Sequence, residues 1–236
     1  MAERLAEASG GDGVDPPYLH EEYVATRLRA PRQPLLLLPR SLGDLGAPVY
    51  GEADLTDVDN DLTCRHDGQP QGQRIVVSGR VVEEDGRPVR DSLIEIWQAN
   101  AAGRYRHDGD RHDAPLDPNF DGAGRCLTDS EGRYRFVTVK PGCYPWPNHP
   151  NAWRPAHIHF SLFGRAFSQR LVTQMYFPDD PLFPYDPIFG SIRDPKVRER
   201  LISRFDLETT IPDEALGFTF DIVLRSTPFE DEDHDE

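Results

Sequence analysis

Residues 156–163 read AHIHFSLF, an alternation of apolar and polar side chains. Successive side chains of a β-strand point to opposite faces, so the apolar members of this stretch are expected to face a core. They are Ala156, Ile158, Phe160 and Leu162. His157 and His159 then share the other face, with Cα atoms roughly 6.6–7 Å apart. The stretch predicts a half-buried strand that carries two imidazoles side by side.

Segments on both sides of this stretch predict the rest of a sheet structure. β-Branched and aromatic residues between turn signals indicate five more strands, at 74–82, 91–98, 133–139, 170–177 and 218–224. The segment 91–98 is apolar on both faces, as in a central strand. We therefore predict an all-β fold, a β-sandwich of short, mostly antiparallel strands with long loops and an N-terminal arm.

One short helix is predicted in the C-terminal half of the chain. Asp194 can cap its first turn, and Pro195 suits the first helical position. Its apolar face would consist of Val197, Leu201, Ile202 and Phe205.

Composition divides the chain into four parts. Polar, glycine-rich residues 1–16 predict a mobile N-terminus. Residues 17–73 contain several prolines and little periodicity, which predicts an extended arm and loops that pack on the core or on a partner subunit. The sandwich domain is expected at 74–226, and the acidic residues 227–236 predict a disordered tail.

Charge and cysteine content limit the possible partners and compartment. The 236 residues include 26 Lys and Arg against 41 Asp and Glu, a net charge of −15. Nucleic acids and anionic membranes require a basic footprint, so we exclude both as partners. No apolar run is long enough to span a membrane and no secretory signal is evident, which predicts a cytoplasmic protein. Cys64, Cys126 and Cys143 form no zinc or disulfide pattern and are interpreted as reduced core thiols.

Two tyrosines in loops could join the histidine pair around a metal ion. Tyr144 lies in PGCYPWPNHP (141–150), just before the histidine strand, and Tyr105 lies in a loop after the strand at 91–98. Two imidazoles can share one metal, and a bound cation lowers the pKa of a phenol from its usual value of about 10. This donor set favours a hard, highly charged cation, and ferric iron suits it better than zinc or calcium.

Simpler interpretations of the same residues remain open. The histidine pair could be hydrogen-bonded only, and each tyrosine could be a buried ring with a satisfied hydroxyl. Three further histidines, His107, His112 and His149, form a rival ligand set or lie on surface loops. Arg154 could stabilise negative charge on a metal-bound substrate, or it could form a salt bridge at the rim of the site.

Seven longer stretches carry a family resemblance. They are YVATRLRAPRQ (23–33), IEIWQANAAGRYRH (94–107), APLDPNFDGAGRCLTDSEGRY (114–134), PGCYPW (141–146), NAWRPAHIHF (151–160), LVTQMYF (171–177) and FDIVLR (220–225). Together they resemble the intradiol ring-cleaving dioxygenases, and within that family the iron-bearing β subunits that act on protocatechuate. The resemblance covers most of residues 20–225. It implies that 74–226 is a catalytic domain.

The resemblance also implies the chemistry. Tyr105, Tyr144, His157 and His159 would bind non-haem Fe(III), and protocatechuate would be cleaved by O2 to 3-carboxy-cis,cis-muconate, a step of aromatic catabolism in the β-ketoadipate pathway. On substrate binding Tyr144 would leave the iron and serve as a base. A homologous α subunit that lacks iron ligands would complete the pocket in an αβ unit and a higher oligomer.

The resemblance assigns roles to five further residues. Arg154 would stabilise anionic character on the substrate ring. Gln174, Trp146 and Ile188 would line the pocket. Tyr23 in the arm would contact the substrate carboxylate.

Three rival functions remain open from the sequence. RIVVSGRVVEEDGRPV (74–89) and LTDSEGRYRFVTVKPGCY (127–144) also resemble a transthyretin-like binding module without catalytic activity. An α-type structural partner is opposed by the presence of all four candidate ligands. Catechol or hydroxyquinol is the alternative substrate, although residues 1–73 lack the long amphipathic helix expected of those relatives.

Overall fold

A computed structural model of the chain describes residues 16–33, 55–56, 59–163 and 170–224. The predicted N-terminus 1–16 lies outside the described residues apart from Pro16, as do the acidic tail 227–236 and residues 34–54 of the predicted arm. The strands are β1 (Arg74–Glu83), β2 (Leu93–Gln98), β3 (Ala123–Leu127), β4 (Arg133–Val139), β5 (Tyr144–Pro145), β6 (Trp153–Arg154), β7 (His157–Phe163), β8 (Arg170–Tyr176), β9 (Arg204–Phe205), β10 (Leu216–Thr219) and β11 (Ile222–Leu224).

The strands form two main sheets that enclose the core. One sheet has the order β11-β1-β10-β9, with β4 also paired to β1, and the other has the order β3-β2-β7-β8. Phe136 of β4 and Phe160 of β7 are fully buried, and their ring centroids lie 5.9 Å apart between the sheets. The predicted all-β sandwich is confirmed, and β2 is the central strand that its two apolar faces indicated. Pairing is antiparallel except where β1 meets β10 and β11.

The predicted strand at 218–224 is interrupted after Thr219. Phe220 donates its backbone N–H to the Ser78 carbonyl, and the Asp221 side chain accepts the N–H of Arg80. A Cβ atom at Gly79 would lie 1.9 Å from the Phe220 carbonyl oxygen. The absence of a side chain at Gly79 therefore allows the two backbones to approach and separates β10 from β11.

The helical segments are short. They are α1 (Thr26–Arg29), a 3₁₀ turn (Phe183–Tyr185), α2 (Pro187–Ser191) and α3 (Pro195–Glu199).

The predicted helix after Asp194 begins as expected but is shorter than predicted. Asp194 caps α3 by accepting the N–H of Lys196. The predicted continuation to Phe205 is wrong, because the following residues pair with the end of β8. The Leu201 carbonyl accepts the N–H of Tyr176 at 2.7 Å, and Phe205 lies in β9.

The prediction that all three cysteines are core thiols is correct only for Cys126, because Cys64 and Cys143 are exposed. Within the described residues no helix has the length and apolar character needed to cross a membrane.

Candidate metal centre

Strand β7 places the two histidines on one face, between β2 and β8. His157 lies opposite Tyr176, and His159 lies between Trp97 and Gln174 in the strand register. The core-facing partners Ile158 and Phe160 are fully buried, as the alternation predicted. The Nε2 atoms of His157 and His159 are 3.2 Å apart. The two imidazoles therefore converge on one point.

Each imidazole is held by a second contact. Nδ1 of His157 lies 2.6 Å from the Pro155 carbonyl oxygen. A carbonyl only accepts, so Nδ1 carries the proton and Nε2 presents a lone pair to the site. His159 stacks on Trp97, with ring centroids 4.7 Å apart and an interplanar angle of 4°.

Tyr105 reaches the histidines from the loop after β2. The Asn100 side chain accepts the backbone N–H groups of Ala102 and Arg104, which tightens this loop. The Tyr105 N–H is in turn accepted by Asp110 at 2.8 Å. The Tyr105 hydroxyl lies 3.1 Å from His159 Nε2 and 3.4 Å from His157 Nε2.

Tyr144 reaches His157 from the short two-stranded sheet of β5 and β6. Its hydroxyl lies 3.5 Å from His157 Nε2, and its ring meets Tyr105 edge to face at 5.6 Å. The two tyrosine loops touch directly, since a Cβ atom at Gly103 would lie 2.2 Å from the Cys143 carbonyl oxygen.

These four side chains fit a single metal ion. Ligands bound at about 2.1 Å with angles between 90° and 110° are themselves about 3.0–3.4 Å apart. Four of the six separations between the donor atoms here are 3.1–3.5 Å. The described residues contain no group of three or more His, Cys, Asp or Glu side chains able to hold a metal. The phenols are thus needed to complete this donor set.

Burial sets the protonation of the four groups. Burial, assisted by the charge of Arg154, lowers the pKa of His159 to about 3 and that of His157 well below its usual value. Both imidazoles are therefore neutral at pH 7, as a metal ligand must be. Burial raises the pKa of both Tyr105 and Tyr144, so each phenolate requires a nearby cation.

Arg154 lies opposite Tyr144 in the β5–β6 register. It is 3% exposed, and its Nε donates to Asp186 at 3.2 Å. Arg154 therefore forms the salt bridge that was one of its two interpretations, but the ion pair is buried and does not lie at the rim of the site. The guanidinium carbon also lies 5.4 Å from the centroid of the Trp146 ring.

Gln174, Tyr23 and Ile188 are the remaining residues predicted in the pocket. Gln174 accepts a hydrogen bond from Arg154 Nη2. Tyr23 meets Trp146 edge to face at 5.4 Å, and the arm is held there because Asn148 donates to the Glu22 carbonyl. Ile188 is half-buried in the first turn of α2.

The rival histidines are not brought together. His107 is exposed, and its Nδ1 accepts the N–H of Gly109. His149 faces the Pro150 carbonyl at 2.7 Å. No group of metal-ligating side chains within the described residues includes them or His112.

Comparison with known proteins places the chain in a family. A family model described as Dioxygenase matches residues 45–226. The chain is 61% identical over 220 residues to the protocatechuate 3,4-dioxygenase beta chain of Burkholderia cepacia, across 91% of this chain and 93% of that protein. The chain belongs to the intradiol dioxygenase family. The family resemblance predicted from the sequence is confirmed, and the rival interpretation of a non-catalytic module is wrong.

Two further matches support the dioxygenase fold. A model for the protocatechuate 3,4-dioxygenase beta subunit N terminal region matches residues 10–41. The 3-chlorocatechol 1,2-dioxygenase structure from Rhodococcus opacus superposes with a TM-score of 0.54 at 25% identity, covering 83% of this chain and 71% of that one.

A more distant relative is longer than this dioxygenase. The hydroxyquinol 1,2-dioxygenase of a Rhizobium strain is 34% identical over 162 residues, which are 63% of this chain. The chain spans only 50% of that relative's length.

Three residues that shape the site were not predicted from the sequence. Trp97 stacks on His159, Tyr176 lies opposite His157, and Asp186 pairs with Arg154. Trp97 and Tyr176 lie on the strands predicted at 91–98 and 170–177, but the sequence did not indicate that these strands pair with the histidine strand. Asp186 precedes a proline as Asp194 does, and this repeated capping signal was visible in the sequence.

Proposed function

We propose that this dioxygenase cleaves protocatechuate with O2 between its two hydroxyl-bearing carbons, giving 3-carboxy-cis,cis-muconate. The catalytic ion is a non-haem ferric ion held by Tyr105, Tyr144, His157 and His159. The convergence of their four donor atoms within 3.1–3.5 Å of their neighbours is the observation that carries the proposal.

The donor set explains the choice of Fe(III). Two phenolates bring two negative charges, while the imidazoles are already neutral, and this favours a trivalent ion over a divalent one. When held by these four residues, a ferric ion would supply Lewis acidity that activates the catechol ring towards O2. The chain itself provides a desolvated pocket in which these charges interact strongly.

Tyr144 is the residue that we assign as the proton acceptor. Its hydroxyl lies near one imidazole, 3.5 Å from His157 Nε2, whereas the Tyr105 hydroxyl lies within 3.4 Å of both imidazoles. The two hydroxyls also contact each other. Tyr144 is therefore the less tightly held phenol and the one that can move when substrate arrives. Its phenolate oxygen would take a proton from a substrate hydroxyl, because a buried phenolate released from a cation is strongly basic.

Arg154 supplies a permanent positive charge beside the reacting ring. Its guanidinium is always protonated and is buried next to Tyr144. In a pocket of low dielectric constant it stabilises the electron-rich substrate dianion and the negative charge that develops on oxygen.

The substrate assignment is supported by the arm. Tyr23 and Trp146 form an aromatic pair next to Arg154, and Arg29 lies 4.7 Å from the Tyr23 ring. We propose that the Tyr23 hydroxyl contacts the protocatechuate carboxylate, with Ile188 lining the opposite wall. Catechol has no carboxylate to use this contact, and the protocatechuate-type match over residues 10–41 also favours protocatechuate.

The assembly is proposed from the name of a relative. The Burkholderia cepacia protein is called a beta chain, which implies an alpha chain. We propose that this dioxygenase also works as an αβ unit, with the α subunit contributing to the mouth of the pocket and further units assembling into a higher oligomer.

The proposal is tested on the chain produced with a candidate α partner and loaded with iron. We expect equimolar iron, a visible tyrosinate-to-iron charge-transfer band, and oxygen uptake that yields 3-carboxy-cis,cis-muconate. Catechol and hydroxyquinol serve as competing substrates. A colourless protein without iron, or a clear preference for either competitor, would contradict the proposal.

A double substitution tests which of the two histidine sets binds the iron. Replacing His157 and His159 by alanine should abolish iron retention, because half of the donor atoms are lost. The matched control replaces His107 and His112 by alanine and should retain iron and colour. Full loading of the first variant, or loss of iron from the control, would refute this ligand set.

A further inference from the structure

The carboxylate of Asp186 faces two parts of the structure with its two oxygens. Oδ1 accepts the N–H of Ile188 at 2.8 Å and caps α2. Oδ2 accepts from Arg154 Nε at 3.2 Å and from the Tyr176 hydroxyl at 3.0 Å. The Asp186 side chain is 0% exposed. One buried carboxylate thus connects α2, which carries a pocket residue, to β6 and β8.

The contact of Asp186 with Arg154 determines the orientation of the guanidinium group. Arg154 Nη2 donates to Gln174 and, at 3.3 Å, to the Tyr176 hydroxyl, while Nε is held by Asp186. A guanidinium group is planar and rigid. Hydrogen bonds at Nε and Nη2 therefore fix the direction in which Nη1 points. Among the described residues no hydrogen bond reaches Nη1.

Burial makes this arrangement depend on the charge of Asp186. The Arg154 side chain is 4% exposed, and an unpaired charge at such a position is strongly unfavourable. Tyr176 and Gln174 offer only neutral acceptors. Asp186 is the anion in direct contact with Arg154 within the described residues.

We propose that Asp186 is a positioning residue for the reaction. It orients the guanidinium of Arg154 towards the substrate. Through its cap on α2 it also couples this orientation to the position of the helical turn that carries Ile188. The inference rests on the proposed function, in which Arg154 stabilises negative charge on the bound ring.

A second aspartate, Asp194, makes it possible to distinguish this positioning role from helix capping alone. Asp194 also precedes a proline and accepts the N–H of the residue two positions on, Lys196, at 2.8 Å. Asp194 is exposed, and no guanidinium or hydroxyl group of the described residues contacts its Oδ2. Each aspartate therefore caps its own helix in the same way, and the two differ in the contacts of the second carboxylate oxygen.

The experiment compares Asp186→Asn and Asp194→Asn in the iron-loaded enzyme produced with its partner. Asparagine keeps an oxygen for the cap and removes the charge. For Asp186→Asn we expect retained iron and colour, KM within about threefold, and kcat per bound iron reduced roughly 10- to 100-fold, as for a slightly misplaced catalytic group. Anaerobic addition of protocatechuate should give a complex with similar affinity but a shifted visible spectrum. Asp194→Asn should match the wild type in all of these.

Other outcomes overturn the inference. They are a kcat per iron within about threefold of the wild type, or an activity loss in the folded variant that is fully accounted for by lost iron. If Asp186→Asn does not fold, Tyr176→Phe removes one hydroxyl from the same oxygen, and an unchanged kcat per iron in that variant overturns it instead. A wild-type enzyme that leaves protocatechuate untouched would refute the proposed function, whereas equal turnover by wild type and variant refutes only the role of Asp186.

Discussion

At the scale of single residues, burial acts in opposite directions on the two kinds of candidate ligand. It keeps His157 and His159 neutral by lowering their pKa values, and it keeps Tyr105 and Tyr144 protonated by raising theirs. The imidazoles are therefore ready to bind a metal at neutral pH. The phenols lose their protons only when a cation is present, so metal binding must release protons from the tyrosines.

Substitution of Tyr144 tests the less tightly held ligand. Tyr144→Phe should retain iron, because three donors remain, but its visible band should shift and kcat should fall by roughly 10- to 1,000-fold through loss of the base. Iron analysis, the visible spectrum and steady-state kinetics give the readouts. Tyr134→Phe is the control, since Tyr134 is a buried tyrosine that donates to the Phe220 carbonyl away from the site. An unchanged spectrum and rate for Tyr144→Phe would remove this residue from the ligand set.

The three cysteines should differ in reactivity. Burial raises the pKa of Cys126 to about 12, and its side chain is packed in the core, so little thiolate is present or accessible. Iodoacetamide should label the exposed Cys64 and Cys143 in the native protein and Cys126 only after unfolding in urea. Peptide mass spectrometry identifies the labelled sites. Rapid native labelling of Cys126 would contradict the burial of this thiol.

At the scale of elements, the site depends on two loops that meet at a glycine. Gly103 follows β2 with a φ angle of +80°, and a side chain there would collide with the Cys143 carbonyl next to Tyr144. The loop that carries Tyr105 therefore supports the short two-stranded sheet that carries Tyr144. Their contact therefore helps to set the distance between the two phenols.

Alanine at Gly103 should separate the tyrosines without unfolding the sandwich. Gly103→Ala must move the Cys143 backbone, so we expect iron affinity and activity to fall by roughly 10-fold or more, as expected when ligand support is disturbed. Gly86→Ala is the matched control, because Gly86 has a φ angle of +82° with nothing within 4 Å of the added Cβ. It should cost about 1 kcal/mol of stability from the backbone conformation alone and leave iron binding intact. Equal iron affinity in the two variants would show that the loop contact is unimportant.

At the scale of the whole molecule, acidic side chains connect the sandwich to its loops. Asp206 accepts from the Glu208 backbone N–H and from the Thr209 and Thr219 hydroxyls, and these contacts lower its pKa below 3.8. At Asp61 burial by itself would raise the pKa, but hydrogen bonds from Thr63 and Cys64 and the charge of Arg74 together outweigh it, so the pKa is again lowered.

These shifts predict a loss of stability in acid. Below the unfolded pKa near 4 the unfolded chain binds more protons than the folded one, so the free energy of unfolding falls as the pH decreases through the lowered pKa values. Urea unfolding at several pH values between 7 and 3 measures the slope. Asp206→Asn should flatten it. The control Asp213→Asn alters an exposed side chain without a hydrogen bond among the described residues and should leave the slope as it is. Equal slopes in the wild type and Asp206→Asn would contradict the prediction.

Local patterns predicted much of this fold. The alternation in 156–163 indicated the strand and the common face of His157 and His159. Similar patterns indicated strands at 91–98 and 170–177, and the structure pairs both with the histidine strand. The helix after Asp194 was predicted too long, since its apolar periodicity continues while the backbone of Leu201 pairs with Tyr176. A hydrogen bond between distant segments outweighed helix propensity there. A local sequence pattern carries no information about such a hydrogen bond.

The sequence by itself determined the all-β class, the histidine pair and the family, because alternation and motif identity are properties of neighbouring residues. Only the tertiary structure decided how the phenols meet that pair and how Arg154 is buried against Asp186, 32 residues further along the chain. These features depend on loop conformation and on the packing of distant segments. Each buried charge needs a partner, and packing rather than spacing along the chain determines which residue supplies it.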